Sequence, residues 1–309
     1  MTNFADRLVA AIQRCKTPAL VGIDPRLNSL PQPLQPLSNN PSPEEVANAY
    51  LEFGKGIIDV VATLVPAVKP QAAFFEQLGP CGMTALGEIT QYARQKGLIV
   101  IMDGKRNDIG STATAYAHGF LGPEASTLFT SDCLTVSPYL GEDSLQPFVD
   151  VANKNGNGIF VLVKTSNPGG GRFQDLIADG QPIYRHVAAL VNELAQATTG
   201  QGEHPYGSVG AVVGATYPEQ LIELREAMPN TLFLVPGFGA QGGGAADVAG
   251  GFDESGLGAI VNSSRGIIFA HSRQPYAERY GDKRWQEAVE AATHDMIAAL
   301  AADTPAGKL

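Results

Sequence analysis

Eight short apolar runs recur along the chain, and each leads into a segment with helical spacing. They are PALVGID (18–24), PAVKPQ (66–71), LIVIMDGK (98–105), CLTVSPY (133–139), GIFVLVK (158–164), VGAVVGAT (209–216), TLFLVP (231–236) and GAIVNS (258–263). Short apolar runs without strict alternation read as strands covered on both faces. Regular alternation of such strands with helices makes the sheet parallel. Eight βα units predict a closed (β/α)8 barrel. A doubly wound open sheet is the competing arrangement, but no GxGxxG follows the first strand. Barrels of this kind reach 309 residues as one domain. Residues 1–309 are therefore read as a single α/β domain with a barrel core at about 18–270, flanked by an N-terminal and a C-terminal helix.

The helices have local signals. Phe4, Leu8, Ala11 and Ile12 fall on one face of a helix over Phe4 to Cys15. Ser42-Pro43-Glu44-Glu45 is a helix start, with a serine cap, proline at the first position and acids in the first turn. A helix from about Thr84 to Lys96 is stopped by Gly97, and a long amphipathic helix runs from about Trp285 to Ala301. Leu30 to Pro43 reads as an inserted loop, TSNPGGGRFQD (165–175) as a loop long enough to form a lid, and the DTPAGKL tail as loose.

A net charge of −10 and a pI near 5.0 argue against nucleic acid or an anionic membrane as a partner. A small anion can still be held where cations converge. Cys15, Cys81 and Cys133 show no CxxC spacing, which suggests a reducing, cytoplasmic setting without structural zinc. The N-terminus lacks the apolar core of a signal peptide, and no apolar run is long enough to span a bilayer. The five histidines, at 118, 186, 204, 271 and 294, have no metal-ligand spacing.

Barrel sites form at the C-terminal ends of the strands. There the third run continues as LIVIMDGKRNDIGST (98–112), which sets Asp103, Lys105, Arg106 and Asp108 against a hydrophobic strand. Residues two apart on a strand share a face, so Asp103 and Lys105 are expected to project together. Lys69 ends the preceding strand, and Asp24 ends the first. After strands seven and eight come GFGAQGGG (237–244) and SSRG (263–266), two loops whose backbone amides and Arg265 could hold a phosphate. The site is thus expected to have two poles, a phosphate grip and a charged reaction centre. Lysines beside carboxylates stay protonated. A cationic lysine can stabilise a carbanion and then protonate it, which suits a decarboxylation.

Asp103-x-Lys105-x-x-Asp108, Lys69 on the preceding strand, PGFGAQGG after strand seven and an arginine after strand eight together resemble the orotidine 5′-phosphate decarboxylase family, in its longer bacterial subgroup. The likeness covers about Pro18 to Ala270. The resemblance implies conversion of orotidine 5′-monophosphate to UMP and carbon dioxide in pyrimidine biosynthesis, with no metal or organic cofactor. It implies that Lys105 gives a proton to C6 of the pyrimidine and that Asp103 sits beside the substrate carboxylate. Lys69 would complete the charge network and bind a ribose hydroxyl, and Asp24 would also bind the ribose. Ser166 would hold the pyrimidine amide edge, with Thr165 the neighbouring alternative. Gln241 and Arg265, with amides near Ser264, would hold the phosphate. Asp108 and Thr112 would reach into a neighbouring subunit's site, giving a homodimer with shared sites. Gly110-Ser111 replace the Pro-Asn of many shorter members. The DxKxxD motif alone also occurs in metal-dependent sugar-phosphate decarboxylases and aldolases of the same superfamily, the alternative function.

Overall fold

The computed structural model describes residues 2–123, 127–239 and 244–309. The eight runs form a closed barrel of parallel strands in chain order. They are β1 (Ala19–Ile23), β2 (Ala67–Pro70), β3 (Ile99–Arg106) and β4 (Cys133–Val136). The second half is β5 (Gly158–Lys164), β6 (Val209–Val213), β7 (Phe233–Pro236) and β8 (Ala259–Ser263). The barrel closes where β8 pairs with β1, Ala19 opposite Val261 and Val21 opposite Ser263.

Successive side chains of a strand point to opposite faces, and this divides the core into two layers. Leu20, Ala67, Ile101, Phe160, Leu234 and Ile260 fill the barrel interior. Val21, Val68, Val100, Leu134, Val161 and Val261 face the surrounding helices. Those helices include α2 (Pro43–Val61), α3 (Pro80–Gln95), α4 (Gly110–Leu121), α5 (Glu142–Lys154), α6 (Ile183–Ala197) and α7 (Pro218–Ala227). The C-terminal helix α8 (Trp285–Asp303) lies against α2, where Trp285 packs 5.3 Å from the Phe53 ring. At the start of α2, Ser42 and Glu45 form a reciprocal capping box at 3.2 and 2.7 Å, as the sequence motif predicts.

The N-terminal helix α1 (Phe4–Cys15) closes the bottom of the barrel. Asn3 caps it by accepting the Ala5 amide at 2.7 Å. Its apolar face joins the interior layer, and the Phe4 ring meets Phe160 edge-on at 6.1 Å. Space for that ring requires a glycine at the start of β5, because a Cβ at Gly158 would fall 2.3 Å from Phe4. Arg7 of α1 donates to Asp132 at 2.6 Å and fastens the helix to the barrel.

Three local expectations change. Helix α3 begins at Pro80, before Thr84, because proline fits a first helical turn and the short turn Ala73–Glu76 delivers the chain there. The 165–175 loop carries a helical turn, Gly171–Gln174, and its end is tied down by an ion pair between Lys164 and Asp175. The tail is not loose: Thr304 caps a turn over Pro305–Lys308, Ala306 is buried, and Lys308 donates to the Glu254 carbonyl at 2.7 Å. Among the described residues no helix is long and apolar enough to cross a membrane.

Candidate active site

At the C-terminal mouth, a cleft of about 170 Å³ brings together Asp24, Lys69, Gln71, Asp103, Asn262, Ser264 and Arg265. The two expected poles therefore share one cavity. Register explains part of this. Gly22 of β1 pairs with Lys69 of β2, and Leu20 pairs with Asn262 of β8, so the ends of β8, β1 and β2 are adjacent. Gly22 carries no side chain because Ser264 and Asn262 occupy its place; a Cβ there would lie 1.9 Å from the Ser264 hydroxyl.

Asp103 is the hub. Its Oδ2 accepts from Lys69 Nζ at 2.6 Å and its Oδ1 from Lys105 Nζ at 2.5 Å. Thr135 of β4 donates a third bond to Oδ1 at 3.0 Å. Burial by itself pushes the Asp103 carboxyl up, but the Lys69 and Lys105 charges and their hydrogen bonds outweigh it and hold the group well below the usual carboxylate range. Burial likewise pulls Lys69 down, while the charges of Asp103 and then Asp24 overturn that and raise it. Asp103 thus stays anionic and Lys69 cationic although both are more than nine-tenths buried. Among the described residues one oxygen of Asp24, Oδ1, is buried with no hydrogen-bond partner and stands as an acceptor in the cleft.

Lys105 meets Asp103 by a different route from simple alternation. Its φ is +44°, in the left-handed region that a lysine rarely adopts. The β3–β4 ladder pairs Met102 with Leu134 and Arg106 with Val136, so residues 103–105 of β3 face Thr135 alone. The strand bulges there, and the bulge swings Lys105 back toward the carboxylate. Its side chain is 48% exposed, against 5% for Lys69; Lys69 lines the cleft, whereas Lys105 is not among the lining residues and reaches the site through its bond to the cleft-lining Asp103.

The other predicted residues divide. Ser264 and Arg265 line the cleft at the end of β8. Gln241 lies outside the described residues. Ser166 follows β5 and is not part of the cleft; it abuts Gly214, where a Cβ would lie 2.8 Å away. The neighbouring Thr165 hydroxyl is engaged within its own loop, with Asn167 at 2.7 Å and Gln174 at 2.8 Å. Asp108 accepts the Ile109 amide at 2.8 Å, and Thr112 is exposed on the first turn of α4; neither joins the Asp103 network of its own chain. Sequence reasoning missed Thr135, Gln71 and Asn262. Threonine is an ordinary strand residue, and only the bulge opposite Thr135 marks it.

Fold and site define a (β/α)8 barrel with a lysine–aspartate–lysine centre at its strand ends, set beside a serine–arginine pole. The sequence profile of the orotidine 5′-phosphate decarboxylase / HUMPS family matches residues 54–280. Orotidine 5′-phosphate decarboxylase of Rhodopirellula baltica is 58% identical over 299 residues, covering 96% of this chain and 98% of that protein. The enzyme of that name from Caldicellulosiruptor bescii is 40% identical over 90% of this chain and 93% of its own. The structure of Leishmania donovani OMP decarboxylase superposes with a TM-score of 0.74 at 30% identity and covers 98% of each chain. The chain belongs to the orotidine 5′-phosphate decarboxylase family.

Proposed function

We propose that this chain decarboxylates orotidine 5′-phosphate to UMP, with Lys105 as the proton donor and without a metal or organic cofactor. The observation that carries the reading is the Lys105 ammonium 2.5 Å from Asp103, itself paired with buried Lys69, at a strand end of a chain from this family. When the C6–carboxylate bond breaks, its electron pair stays on C6 and carbon dioxide departs. Lys105 then transfers a proton from Nζ to C6 and is left as a neutral amine. The anionic Asp103 holds both ammonium groups in place and faces the leaving carboxylate. Lys69 and Asp24 Oδ1 suit ribose hydroxyls, Ser264 and Arg265 suit the phosphate, and Gln241 is assigned there by family likeness. Ser166 is preferred to Thr165 for the pyrimidine edge, since the Thr165 hydroxyl is already engaged.

The test is a spectrophotometric assay with orotidine 5′-monophosphate, with and without chelator. Turnover unchanged in EDTA is expected. Activity lost in EDTA and restored by magnesium would transfer the chain to the metal-dependent sugar-phosphate reading.

The proposed working form is a homodimer in the cytoplasm, with Asp108 and Thr112 completing the neighbour's site. Both lie outside their own cleft, and Ile109 and Tyr116 on the same segment leave apolar surface exposed, at 56% and 39%. Mixed Lys105→Ala and Asp108→Ala subunits should regain activity. No recovery after demonstrated subunit exchange would refute shared sites.

A further inference from the structure

A bulge that puts a lysine in left-handed backbone must be held, because the strand would otherwise relax to regular pleat. At this bulge residues 103–105 have Thr135 as their one counterpart on β4; on the β2 side Asp103 bridges Gln71 and its carbonyl accepts the Ala72 amide at 3.2 Å, which leaves Gly104 and Lys105 outside the ladder pairs of the described residues. The Thr135 hydroxyl oxygen accepts the Gly104 amide at 3.1 Å and the Lys105 amide at 2.9 Å. Its proton goes to Asp103 Oδ1 at 3.0 Å, the oxygen that also takes Lys105 Nζ. A hydroxyl has one donor and two acceptor sites, and here all three are used. The far side of the same peptide is held as well, with the Gly104 carbonyl accepting from Arg106 Nη1 at 2.8 Å. Thr135 is 1% exposed and lies on the barrel side of Asp103, absent from the cleft lining.

We propose that Thr135 is a positioning residue for the reaction: its hydroxyl clamps the β3 bulge and thereby holds the Lys105 ammonium on the cleft-lining Asp103 carboxylate. The inference rests on Lys105 being the proton donor. Without the hydroxyl, the two part-buried amides lose their acceptor, and the bulge loses the bonds that hold its conformation. A strand that loses its bulge turns the following side chains to the other face. Proton transfer suffers, while the ribose and phosphate contacts, which lie on β1, β2 and β8, persist.

Thr135→Val keeps the shape and removes the hydroxyl, and Thr135→Ser keeps the hydroxyl. Displacement of a reacting group by about an ångström can cost on the order of 100-fold in rate. Thr135→Val is therefore expected to lower kcat by roughly 100-fold. Its KM and its Kd for UMP should stay within about three-fold of the parent, since those contacts are untouched. Thr135→Ser should restore kcat to within about three-fold, because the bonding hydroxyl is back. Should the valine variant not fold, Thr135→Ala takes its place in the same comparison. Lys105→Ala is measured alongside. If it retains turnover, the assignment of Lys105 falls and the clamp falls with it. If Lys105→Ala is inactive while Thr135→Val turns over normally, or if serine fails to rescue, the clamp alone is overturned.

Discussion

At the N-terminal end of the barrel, Asp132 takes Arg7 at 2.6 Å, Arg94 at 3.9 Å and the Val100 amide at 2.8 Å. At the C-terminal end, Asp103 takes Lys69 at 2.6 Å, Lys105 at 2.5 Å and the Thr135 hydroxyl at 3.0 Å. Both carboxylates are buried between two cations, yet the cations arrive differently. Arg7 and Arg94 reach in from helices α1 and α3, so their pairing ties the helical layer to the barrel. Lys69 and Lys105 stand on neighbouring strands, so their pairing joins nothing that the ladder does not already join. Both networks border open space, the lower one a groove of about 390 Å³ beside the apolar plug and the upper one the smaller cleft at the barrel mouth, but only the upper one includes a lysine held in strained backbone. A buried ion pair that only bound layers together would need no strain. Strain at a lysine bonded to a cleft-lining carboxylate points to a working site.

The contrast is sharpest for paired substitutions. Lys105→Ala should lower kcat by about 1,000-fold or more, at the upper end of general-acid effects, and leave the thermal midpoint close to the parent. A large loss of midpoint with residual turnover would make Lys105 structural. Asp132→Ala should do the reverse, costing roughly 2–3 kcal/mol in urea unfolding and leaving kcat of the folded enzyme unchanged. That is somewhat below the cost of breaking a fully enclosed pair, because Arg7 still reaches water. Next in size, Arg265→Ala should weaken UMP binding roughly ten- to thirty-fold, as for a lost charge-assisted hydrogen bond, and barely change binding of uridine. Equal weakening for both ligands would remove Arg265 from the phosphate pole.

The smallest effect concerns pH. The depressed carboxyl of Asp103 contributes stability that is complete above the unfolded-state value near 3.9 and is lost as pH falls through the folded value. The raised ammonium of Lys69 contributes below the unfolded-state value near 10.4 and loses its contribution as pH rises through the folded value. The unfolding free energy of the parent minus that of Asp103→Asn should therefore be flat from about pH 5 to pH 9 and shrink below about pH 4. A slope between pH 7 and pH 5 would contradict the depressed carboxyl.

Much of this was legible in the amino-acid order. The eight apolar runs, the Ser42–Glu45 cap and the amphipathic α1 are local patterns, and each formed within a few residues of its expected bounds. Asp24, Lys69, Asp103, Ser264 and Arg265 followed from one rule, that strand ends converge at the mouth of a barrel. Lys105 was found for an incomplete reason, since alternation along a strand does not account for a positive φ. Ser166, Asp108 and Thr112 sit on loops and a helix start, where chain proximity says little about which cavity a side chain serves.

By itself, the sequence determined the number and order of the strands, the helix stops and starts, and the charges gathered at one end. These depend on periodicity and residue type within a short window, which neighbours in the chain settle. Only the tertiary structure decided that Thr135 bonds two amides and a carboxylate of another strand, that Asn262 and Ser264 fill the place of a side chain at Gly22, and that Phe4 occupies the space Gly158 leaves. Those are contacts between segments distant in the chain, set by register and barrel closure, and no local pattern carries them.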